Sequence, residues 1–381
     1  MLHFYVNDNL LTLLRDIIRF KSVTPMGENC LLYIKTYLEK YEFDVHILKY
    51  GSVSNLYAKK KHKNDYNLCF VGHVDVVPSG ANWTYDPFDL TIEGEKIYGR
   101  GIVDMKGAIA AFLHAISVTN ISSTVSILLT TDEEAEAKEG IVKCVPWLKE
   151  QGEKFDLFVI GEPTANIYAG DAVKVGRRGS VTFVVDIIGE QGHIAYPQFA
   201  NNPLNVVADL MHELHDKTIG DECENFEKSR IQFTSIDTNN FVENLLPKKI
   251  TLRFGVRFNA SLFGNDVIQL IENKLKEMCD KYLLKFTIRA NKNGEPFHMN
   301  DQKIISWLKN EIQFVTNQNV NFNADGAISD GRFLHHLAPV VEIGLEESQA
   351  HRVNEHSTKS NLIQLFKIYQ NLLKNVNLLQ S

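Results

Sequence analysis

Short apolar runs of strand length alternate with helical patterns through the first half of the chain. Asn67–Val77, Ser126–Thr131 and Phe155–Ile160 each predict a buried strand. Lys106–Ser117 and Glu139–Gln151, which lie between them, predict helices. Later in the chain the same pattern returns as a helix, a strand and a helix: Asp301–Val315, Pro339–Gly344 and Lys359–Leu373. This alternation predicts an α/β fold with a mixed, mostly parallel sheet flanked by helices.

The pattern changes near Gly176–Ser180, where alternating β-branched strands replace the buried runs. The segments that follow predict strands and helices of a second kind: strands Val181–Ile188, Arg230–Ile236, Lys249–Asn259 and Leu284–Ala290, and helices Leu204–His215 and Val267–Tyr282. We therefore predict an inserted α+β domain with an antiparallel sheet at residues 179–292. Turn residues in Asn291–Pro296 indicate where the chain leaves it. Residues 1–178 and 293–381 would together form the catalytic domain.

Composition narrows the class of protein. The chain has 381 residues, of which 44% are hydrophobic and 23% charged, as is typical of a globular protein of about two domains. Its 40 basic and 47 acidic residues give a net charge of −7, so we expect no binding to nucleic acid. No apolar run in the sequence reaches the ~18 residues that a membrane helix needs, and we expect no membrane partner.

The cysteines and the N-terminus bear on where the protein works. The cysteines are scattered and form no Cys-x-x-Cys pair: Cys30, Cys69, Cys144, Cys223 and Cys279. We therefore expect reduced thiols and a cytoplasmic location. Apolar residues near the N-terminus recur at helical spacing with charged residues between them, so we expect a helix there rather than a signal peptide.

The first polar motif, Gly72–Asp75, lies near the end of the predicted strand Asn67–Val77. His73 and Asp75 are two positions apart and share one face of the strand, at the edge where open α/β sheets bind ligands. A carboxylate beside a histidine is the usual arrangement that fixes a metal-binding imidazole. Taken alone, the motif fits a buried strand with a hydrogen-bonded histidine better than a metal site.

Three further segments of the sequence carry candidate carboxylates. Asp104 lies in a glycine-punctuated turn before a helix, where it could serve only as an N-cap. Glu133 and Glu134 follow the predicted strand Ser126–Thr131, where acidic residues could simply begin a helix. Alternatively, one glutamate would bind metal while its neighbour acts as a general base. Glu162 follows the next predicted strand.

His351 follows the predicted strand Pro339–Gly344 after a short loop and completes the set. Each motif is ambiguous alone, but all of these side chains could converge at the carboxyl edge of one sheet. Two histidines, an aspartate and two glutamates fit a pair of divalent cations that share a carboxylate. Mixed imidazole and carboxylate ligands favour zinc, with cobalt or manganese as substitutes.

Together, the motifs GHVDVVP, GRGIVDMKG, TTDEE and GEPT resemble those of the di-zinc aminoacylase/carboxypeptidase metallopeptidase family. The resemblance covers essentially the whole chain. It implies two Zn²⁺ ions per subunit with these ligands: His73 and Glu162 for one ion, Glu134 and His351 for the other, and Asp104 as the bridge. It also implies that Glu133 is the general base and that Asp75 orients His73.

His356 is the alternative to His351 as the C-terminal ligand. In the family the last histidine stands a few residues ahead of an acidic residue. That pattern fits His351 followed by Glu355, and we predict His351.

Four further segments resemble one branch of this family, whose members remove a succinyl group from a carboxylate-rich amino acid: Gly176–Ser180, Gly192–Pro197, Asn201–Pro203 and Ser329–Phe333. This implies a small acylated amino acid as substrate and a homodimer in which His193 of one subunit donates to the oxyanion in the other. Alternatively, His193 is a loop residue packed by Tyr196, and Gly176–Ser180 a solvated hinge. The candidates for binding the substrate are Arg178, Arg257 and Arg332, with Asn244 and the backbone of Gly326.

The segment Asn323–Ile328 departs from the pattern of that branch. Ile328 replaces a residue that usually carries a hydroxyl, and Asp325 adds a negative charge that could oppose an anionic substrate. The departure does not affect the prediction of a metal-dependent hydrolase, but it weakens the prediction of the substrate. Two alternative functions remain open. One is a related deacylase or dipeptidase with the same metals, and the other is a non-catalytic binding protein, which would have no need for a base at Glu133.

Overall fold

The structure is a computed structural model that describes residues 2–380. Its helices are α1 (Leu2–Ile18), α2 (Glu28–Glu39), α3 (Gly107–Val118), α4 (Ile141–Glu150), α5 (Leu204–Leu214), α6 (Gly264–Lys281), α7 (Gln302–Thr316), α8 (Gly331–Leu334) and α9 (Lys359–Asn375). Within the described chain, none of them has both the length and the apolar character needed to cross a membrane.

The strands are β1 (Asp44–Tyr50), β2 (Val53–Lys60), β3 (Asn64–His73), β4 (Thr91–Glu93), β5 (Lys96–Tyr98), β6 (Ser123–Thr130), β7 (Leu157–Ile160), β8 (Ala172–Lys174), β9 (Gly176–Arg177), β10 (Gly179–Ile188), β11 (Gly192–His193), β12 (Thr218–Ile219), β13 (Ser229–Asp237), β14 (Leu245–Leu246), β15 (Lys249–Phe258), β16 (Lys285–Gly294), β17 (Phe297–His298), β18 (Asn321–Asn323), β19 (Val340–Glu342) and β20 (His356–Thr358).

The chain divides into two compact units. The first contains Met1–Gly176, Met299–Asn323 and Ser329–Ser381, and the second contains Arg177–His298 and Ala324–Ile328. The last of these segments was expected in the catalytic domain, and the structure groups it with the second unit.

A mixed eight-stranded sheet forms the centre of the first unit, in the order β1-β2-β6-β3-β7-β19-β8-β18. The pairs β6–β3, β3–β7, β7–β19 and β8–β18 are parallel. The pairs β1–β2, β2–β6 and β19–β8 are antiparallel. The predicted mixed, mostly parallel sheet is therefore confirmed.

Helices cover both faces of this sheet. Leu56 of β2 belongs to the larger core, whereas Tyr57 lies against Trp147 of α4 with the ring centroids 5.7 Å apart. Adjacent strand residues point to opposite faces, so both faces of β2 are buried. On the side of the larger core, Phe70 of β3 stacks on Phe112 of α3 with centroids 4.2 Å apart. Two buried faces explain why β3 and β6 read as continuous apolar runs.

The second unit contains an antiparallel five-stranded sheet in the order β12-β13-β15-β10-β16. Alternate residues of β10, such as Val181 and Phe183, are buried in a separate core that includes residues of α5 and α6. This α+β arrangement was predicted. The turn expected over Asn291–Pro296 begins later, because β16 continues through Gly294, which pairs with Ser180. Hydrogen bonds to β10 outweigh the turn propensity of the local sequence.

Candidate metal centre

The parallel strands β3, β6 and β7 end at one edge of the first unit's sheet. His73, the last residue of β3, pairs with the last residue of β6, and β7 ends beside it. Glu133 and Glu134 follow β6, and Glu162 follows β7. The register of these strands therefore places four of the predicted residues at the same edge of the sheet.

Asp104 lies between two imidazoles. It belongs to the short helical turn Ile102–Lys106 that precedes α3. Its Oδ1 is 3.1 Å from His73 Nε2, and its Oδ2 is 3.2 Å from His351 Nε2. Because each oxygen of one carboxylate faces a different imidazole, Asp104 is placed to be shared by two cations.

Each histidine has a second carboxylate close to it. Glu134 Oε1 is 2.9 Å from His351 Nε2, and Glu162 Oε1 is 3.6 Å from His73 Nε2. The ligand atoms of His73, Asp104 and Glu134 all lie within 4.8 Å of one another. Glu134 thus lies beside His351 and Glu162 beside His73, and the ligand atoms of Glu134 and His73 are also close to each other.

The chemistry of this cluster fits a pair of divalent cations. Imidazole nitrogens and carboxylate oxygens are the donors that zinc takes in sites with open positions. Burial raises the pKa of Glu162 well above its usual value, and the negative charges of Asp104 and Glu133 raise it further. The cluster therefore holds more negative charge than its own histidines offset, and cations would supply the difference.

The pKa values of Asp104 and His351, which contact each other, are shifted in opposite directions. Burial acts to raise the pKa of Asp104, but hydrogen bonds to His351 and His73 outweigh it and hold that pKa well below its usual value. Hydrogen bonds to Asp104 and Glu134 raise the pKa of His351 to about 10. Both shifts express the attraction between the shared carboxylate and positive charge.

His356 lies apart from these carboxylates. Its Nδ1 is 2.9 Å from the main-chain oxygen of Asn354, and its ring lies 5.2 Å from that of Tyr98. The geometry therefore favours His351 over His356 as the C-terminal ligand.

Glu133 is half-buried beside the cluster, with a carboxylate oxygen within 4.8 Å of the ligand atoms of His73 and Glu162. Burial raises the pKa of Glu133 to about 8; His73 opposes this shift, whereas Asp330 and Glu134 add to it. A carboxyl group with a pKa near neutrality can both accept and return a proton.

Asp75 contacts the site in two ways. Its main-chain oxygen is 2.9 Å from His73 Nδ1, whereas its nearest carboxylate oxygen is 3.7 Å from that nitrogen. The carboxylate instead accepts hydrogen bonds from the backbone N–H groups of Glu134 (3.1 Å) and Glu133 (3.4 Å). Asp75 therefore orients the ring through its main chain and fixes the two glutamates through its side chain. The hydrogen bonds of the side chain join Asp75 to residues 58 and 59 positions later, and no local sequence pattern predicts such contacts.

Five of the predicted substrate and oxyanion residues lie in the second unit: Arg178, His193, Asn244, Arg257 and Gly326. The Arg178 Nη1 is 2.7 Å from Glu227 Oε2. Burial lowers the pKa of Arg257, and the positive charge of Arg178 lowers it further. Arg257 also donates to the hydroxyl of Ser180. This unit therefore holds one arginine paired with a carboxylate, Arg178, and one half-buried arginine bound to a hydroxyl, Arg257.

His193 is exposed on β11, which pairs with β14. Its Nδ1 accepts a hydrogen bond of 3.1 Å from the backbone N–H of Ala195, and its ring lies 5.8 Å from that of Tyr196. Because Nδ1 is an acceptor, Nε2 carries the proton of the neutral ring. Arg332 belongs to the first unit, where its Nη1 donates to the main-chain oxygen of Ser329 at 3.3 Å.

The segment Ala324–Ile328 joins the second unit through its backbone and through Asp325. The N–H of Ala324 donates to the main-chain oxygen of Asn225 at 2.7 Å, and Asp325 Oδ1 accepts from the N–H of Glu227 at 3.0 Å. Gly326 has φ +94°, a backbone conformation that favours glycine.

A buried ion pair, Arg100 and Glu355, lies next to the Asp104 turn, and the sequence assigns it no role. Its members are 255 positions apart, and only the folded chain brings them together. The acidic residue after His351 is the single signal that points to it.

Known proteins match the chain over most of its length. The sequence model of peptidase family M20/M25/M40 matches residues 69–375. Succinyl-diaminopimelate desuccinylase of Ehrlichia ruminantium (strain Gardel) is 36% identical over 373 residues, which are 95% of this chain and 96% of that protein.

Two solved structures share the fold. Aminopeptidase PepT from Bacillus cereus superposes with a TM-score of 0.80 at 14% identity and covers 98% of this chain and 99% of its own. The Bacillus subtilis YXEP protein, described as a dinuclear metal binding peptidase, has a TM-score of 0.70 at 13% identity and covers 98% of both chains. The sequence matches confirm the predicted family, whose motifs include the histidines and carboxylates of this cluster. The chain belongs to peptidase family M20/M25/M40.

Proposed function

We propose that the chain hydrolyses the amide bond of N-succinyl-LL-2,6-diaminopimelate to give succinate and LL-2,6-diaminopimelate, a step of lysine and diaminopimelate biosynthesis. The observation that carries the reaction class is Glu133, a half-buried carboxyl group with a pKa raised to about 8 beside a cluster that fits two cations. The similarity to the Ehrlichia desuccinylase, over nearly the full length of both chains, supports the choice of substrate. All five cysteines are free thiols, which supports a cytoplasmic location.

The proposed metal centre contains two zinc ions. His73 and Glu162 would hold one ion, His351 and Glu134 the other, and Asp104 both. Zinc is preferred because the ligands combine imidazole nitrogen with carboxylate oxygen, and cobalt or manganese would substitute. When bound, such ions polarise the amide carbonyl and make water a stronger acid.

Glu133 moves the proton in this reaction. It accepts a proton from the attacking water, whose oxygen forms a bond to the succinyl carbonyl carbon. As the C–N bond breaks, Glu133 returns that proton to the departing nitrogen, which leaves as an amine. The raised pKa of Glu133 suits both transfers, because neither protonation state is strongly preferred near neutral pH. Asp75 holds the backbone of Glu133 and Glu134 in place, because its carboxylate accepts a hydrogen bond from the N–H of each.

The arginines supply the proposed sites for the carboxylates of the substrate. Arg178 and Arg257 would each donate to a carboxylate of the substrate, and Arg178 would exchange its contact with Glu227 for that bond. Arg332, Asn244 and the backbone of Gly326 are further donors in the proposal. The carboxylate of Asp325 accepts from the N–H of Glu227, so the extra acidic residue has a structural role within the second unit.

A homodimer forms the last element of the proposal, with His193 of each subunit donating to the oxyanion at the other subunit's site. An exposed apolar surface surrounds His193 and β14: Ile194, Tyr196, Phe199 and Phe241 are 55%, 57%, 74% and 93% exposed. Apolar surface of this extent is typical of protein interfaces.

Hydrolysis of N-succinyl-LL-diaminopimelate by the zinc-loaded protein, with a chelator-treated sample as control, tests the reaction. We expect cleavage that the chelator abolishes. A panel with an N-acetylated amino acid and a dipeptide tests the substrate, and we expect the succinylated compound to have the highest kcat/KM. Preference for another compound would point to a related deacylase or dipeptidase. Zinc binding with no turnover of any panel member would point to a binding protein.

Mixing two inactive variants tests the partner contribution of His193. His193→Ala and Glu133→Ala subunits, each inactive alone, should regain activity when exchanged into mixed dimers, because one site then has both groups intact. Size-exclusion chromatography with light scattering measures the dimer. Mixed dimers that stay inactive would show that His193 does not act across the interface.

A further inference from the structure

Arg100 and Glu355 form an ion pair that is buried in the first unit. Arg100 is 2% exposed and Glu355 0% exposed, and Arg100 Nη1 lies 2.6 Å from Glu355 Oε2. Two charges withdrawn from water are costly unless hydrogen bonds satisfy their remaining atoms. The partners of this pair are therefore informative.

The Glu355 carboxylate binds the backbone of the turn that carries Asp104. Its Oε2 accepts from the N–H of Gly101 at 3.0 Å. Its Oε1 accepts from the N–H of Val103 at 2.8 Å and of Asp104 at 3.3 Å. Both oxygens thus hold the turn, and one of them holds the proposed bridging residue itself.

Arg100 binds the loop that carries His351. Its Nη1 donates to the main-chain oxygen of Arg352 at 3.2 Å. Its Nη2 lies within hydrogen-bond distance of the main-chain oxygens of Pro78 (3.4 Å) and Ser79 (3.3 Å). His351 has φ +61°, a conformation that a residue with a side chain keeps only where its surroundings hold it. The bond to the next residue is one such restraint.

We propose that Glu355, together with Arg100, is a positioning residue for the proposed metal centre, because it locks the Asp104 turn and the His351 loop to each other. The inference rests on the proposed function, since it assumes that both residues bind metal. The pair touches neither ion. It orders the two backbone segments that carry Asp104 and His351 before metal binds, so binding does not include the entropic cost of ordering them. Loss of such outer contacts typically weakens metal affinity about 10–100-fold.

Asp171 provides a matched control. It is also buried, and its carboxylate also accepts hydrogen bonds from three backbone N–H groups, those of Asn166 (2.9 Å), Ile167 (2.8 Å) and Tyr168 (3.3 Å). These bonds hold a turn at residues 166–168, which contains none of the proposed ligands and begins four positions after Glu162. Asp171→Asn therefore removes a comparable charge and comparable bonds away from the Asp104 turn.

Calorimetric titration of the chelator-treated protein with Zn²⁺ tests the proposal, and the absorption spectrum of the Co²⁺ form reports the ligand geometry. We expect two equivalents in the unaltered protein, about 10–100-fold weaker binding and a changed Co²⁺ spectrum in Glu355→Gln, and unaltered affinity and spectrum in Asp171→Asn. Circular dichroism and the Tm of each variant show whether it is folded.

Unaltered affinity in a folded Glu355→Gln protein, or equal loss in Asp171→Asn, would overturn the inference. If Glu355→Gln does not fold, Arg100→Lys replaces it, since lysine keeps the charge beside Glu355 but cannot reach Arg352 and Ser79 together. We expect about tenfold weaker Zn²⁺ binding in Arg100→Lys, and unaltered affinity there would also overturn the inference. Failure of the unaltered protein to bind two ions would remove the proposed metal centre, and the inference with it.

Discussion

In the first unit three of the proposed metal ligands lie at or just after the ends of buried parallel strands, whereas in the second unit the proposed substrate residues lie along an antiparallel sheet and in loops. His73 ends β3, and Glu134 and Glu162 follow β6 and β7. Arg178 and Arg257, in contrast, lie beside and on strands with one partly exposed face. A strand end fixes where the following side chains converge, while the middle of an antiparallel strand fixes only the face on which a side chain lies.

The difference suggests a division of work between the units. Changes at the sheet edge of the first unit should alter metal content or turnover, because those residues touch the reacting atoms or the ions. Changes at the arginines of the second unit should alter KM, and a change at His193 should alter turnover, with the metal content unchanged in both cases. Each prediction below tests one side of this division.

Glu133→Ala should have the largest effect on turnover. Loss of a positioned proton-transfer group typically lowers the rate about 10²–10⁴-fold, and we expect kcat to fall by that factor with two equivalents of zinc retained. Glu136→Gln is the control, because Glu136 is exposed and pairs with Lys138 at the surface. Near-normal turnover in Glu133→Ala would exclude it as the base.

His351→Ala and His356→Ala form a matched pair. His351 lies 2.9 Å from Glu134, whereas His356 packs against Tyr98. We expect about one equivalent of zinc to be lost from His351→Ala and none from His356→Ala. Metal analysis after dialysis measures both. The reverse result would assign the ligand to His356.

Arg257→Gln should act on the substrate rather than on the metals. A hydrogen bond to a charged group contributes about 1.5–3 kcal/mol, so we expect KM to rise at least about tenfold, with zinc content unchanged. Arg253 lies four residues earlier on β15 and is exposed, which makes Arg253→Gln the control. A loss of zinc in Arg257→Gln would break the division between the two units.

Asp325→Asn should have the smallest effect. The Asp325 carboxylate accepts from the N–H of Glu227, so its loss should lower the free energy of unfolding by about 1 kcal/mol. KM should change little, since the carboxylate serves the second unit's own structure. Denaturant unfolding and steady-state kinetics check the two parts. A large fall in KM would show that this charge opposes the substrate.

The sequence predicts the sheet edge well because its signals are local. An apolar run of strand length followed directly by a polar motif identifies both a strand and its end, as for His73 and Glu162. The family and the fold class follow from the same motifs and are confirmed.

Long-range contacts account for what the sequence does not predict. The carboxylate of Asp75 binds residues almost sixty positions away, and Arg100 meets Glu355 from the far end of the chain. Likewise, Asn291–Gly294 has turn composition but extends β16, because β10 supplies partners for its backbone. Pairing partners of this kind cannot be read from a local window.

The position of β19 has a consequence for synthesis of the chain. This strand lies between β7 and β8 in the sheet, yet it is translated after the whole of the second unit. A nascent chain that has emerged as far as α7 therefore has every strand of the antiparallel sheet but lacks the strand that joins β7 to β8. The antiparallel sheet of the second unit can complete its hydrogen bonding on the ribosome, while the sheet of the first unit must wait for β19 to enter its interior.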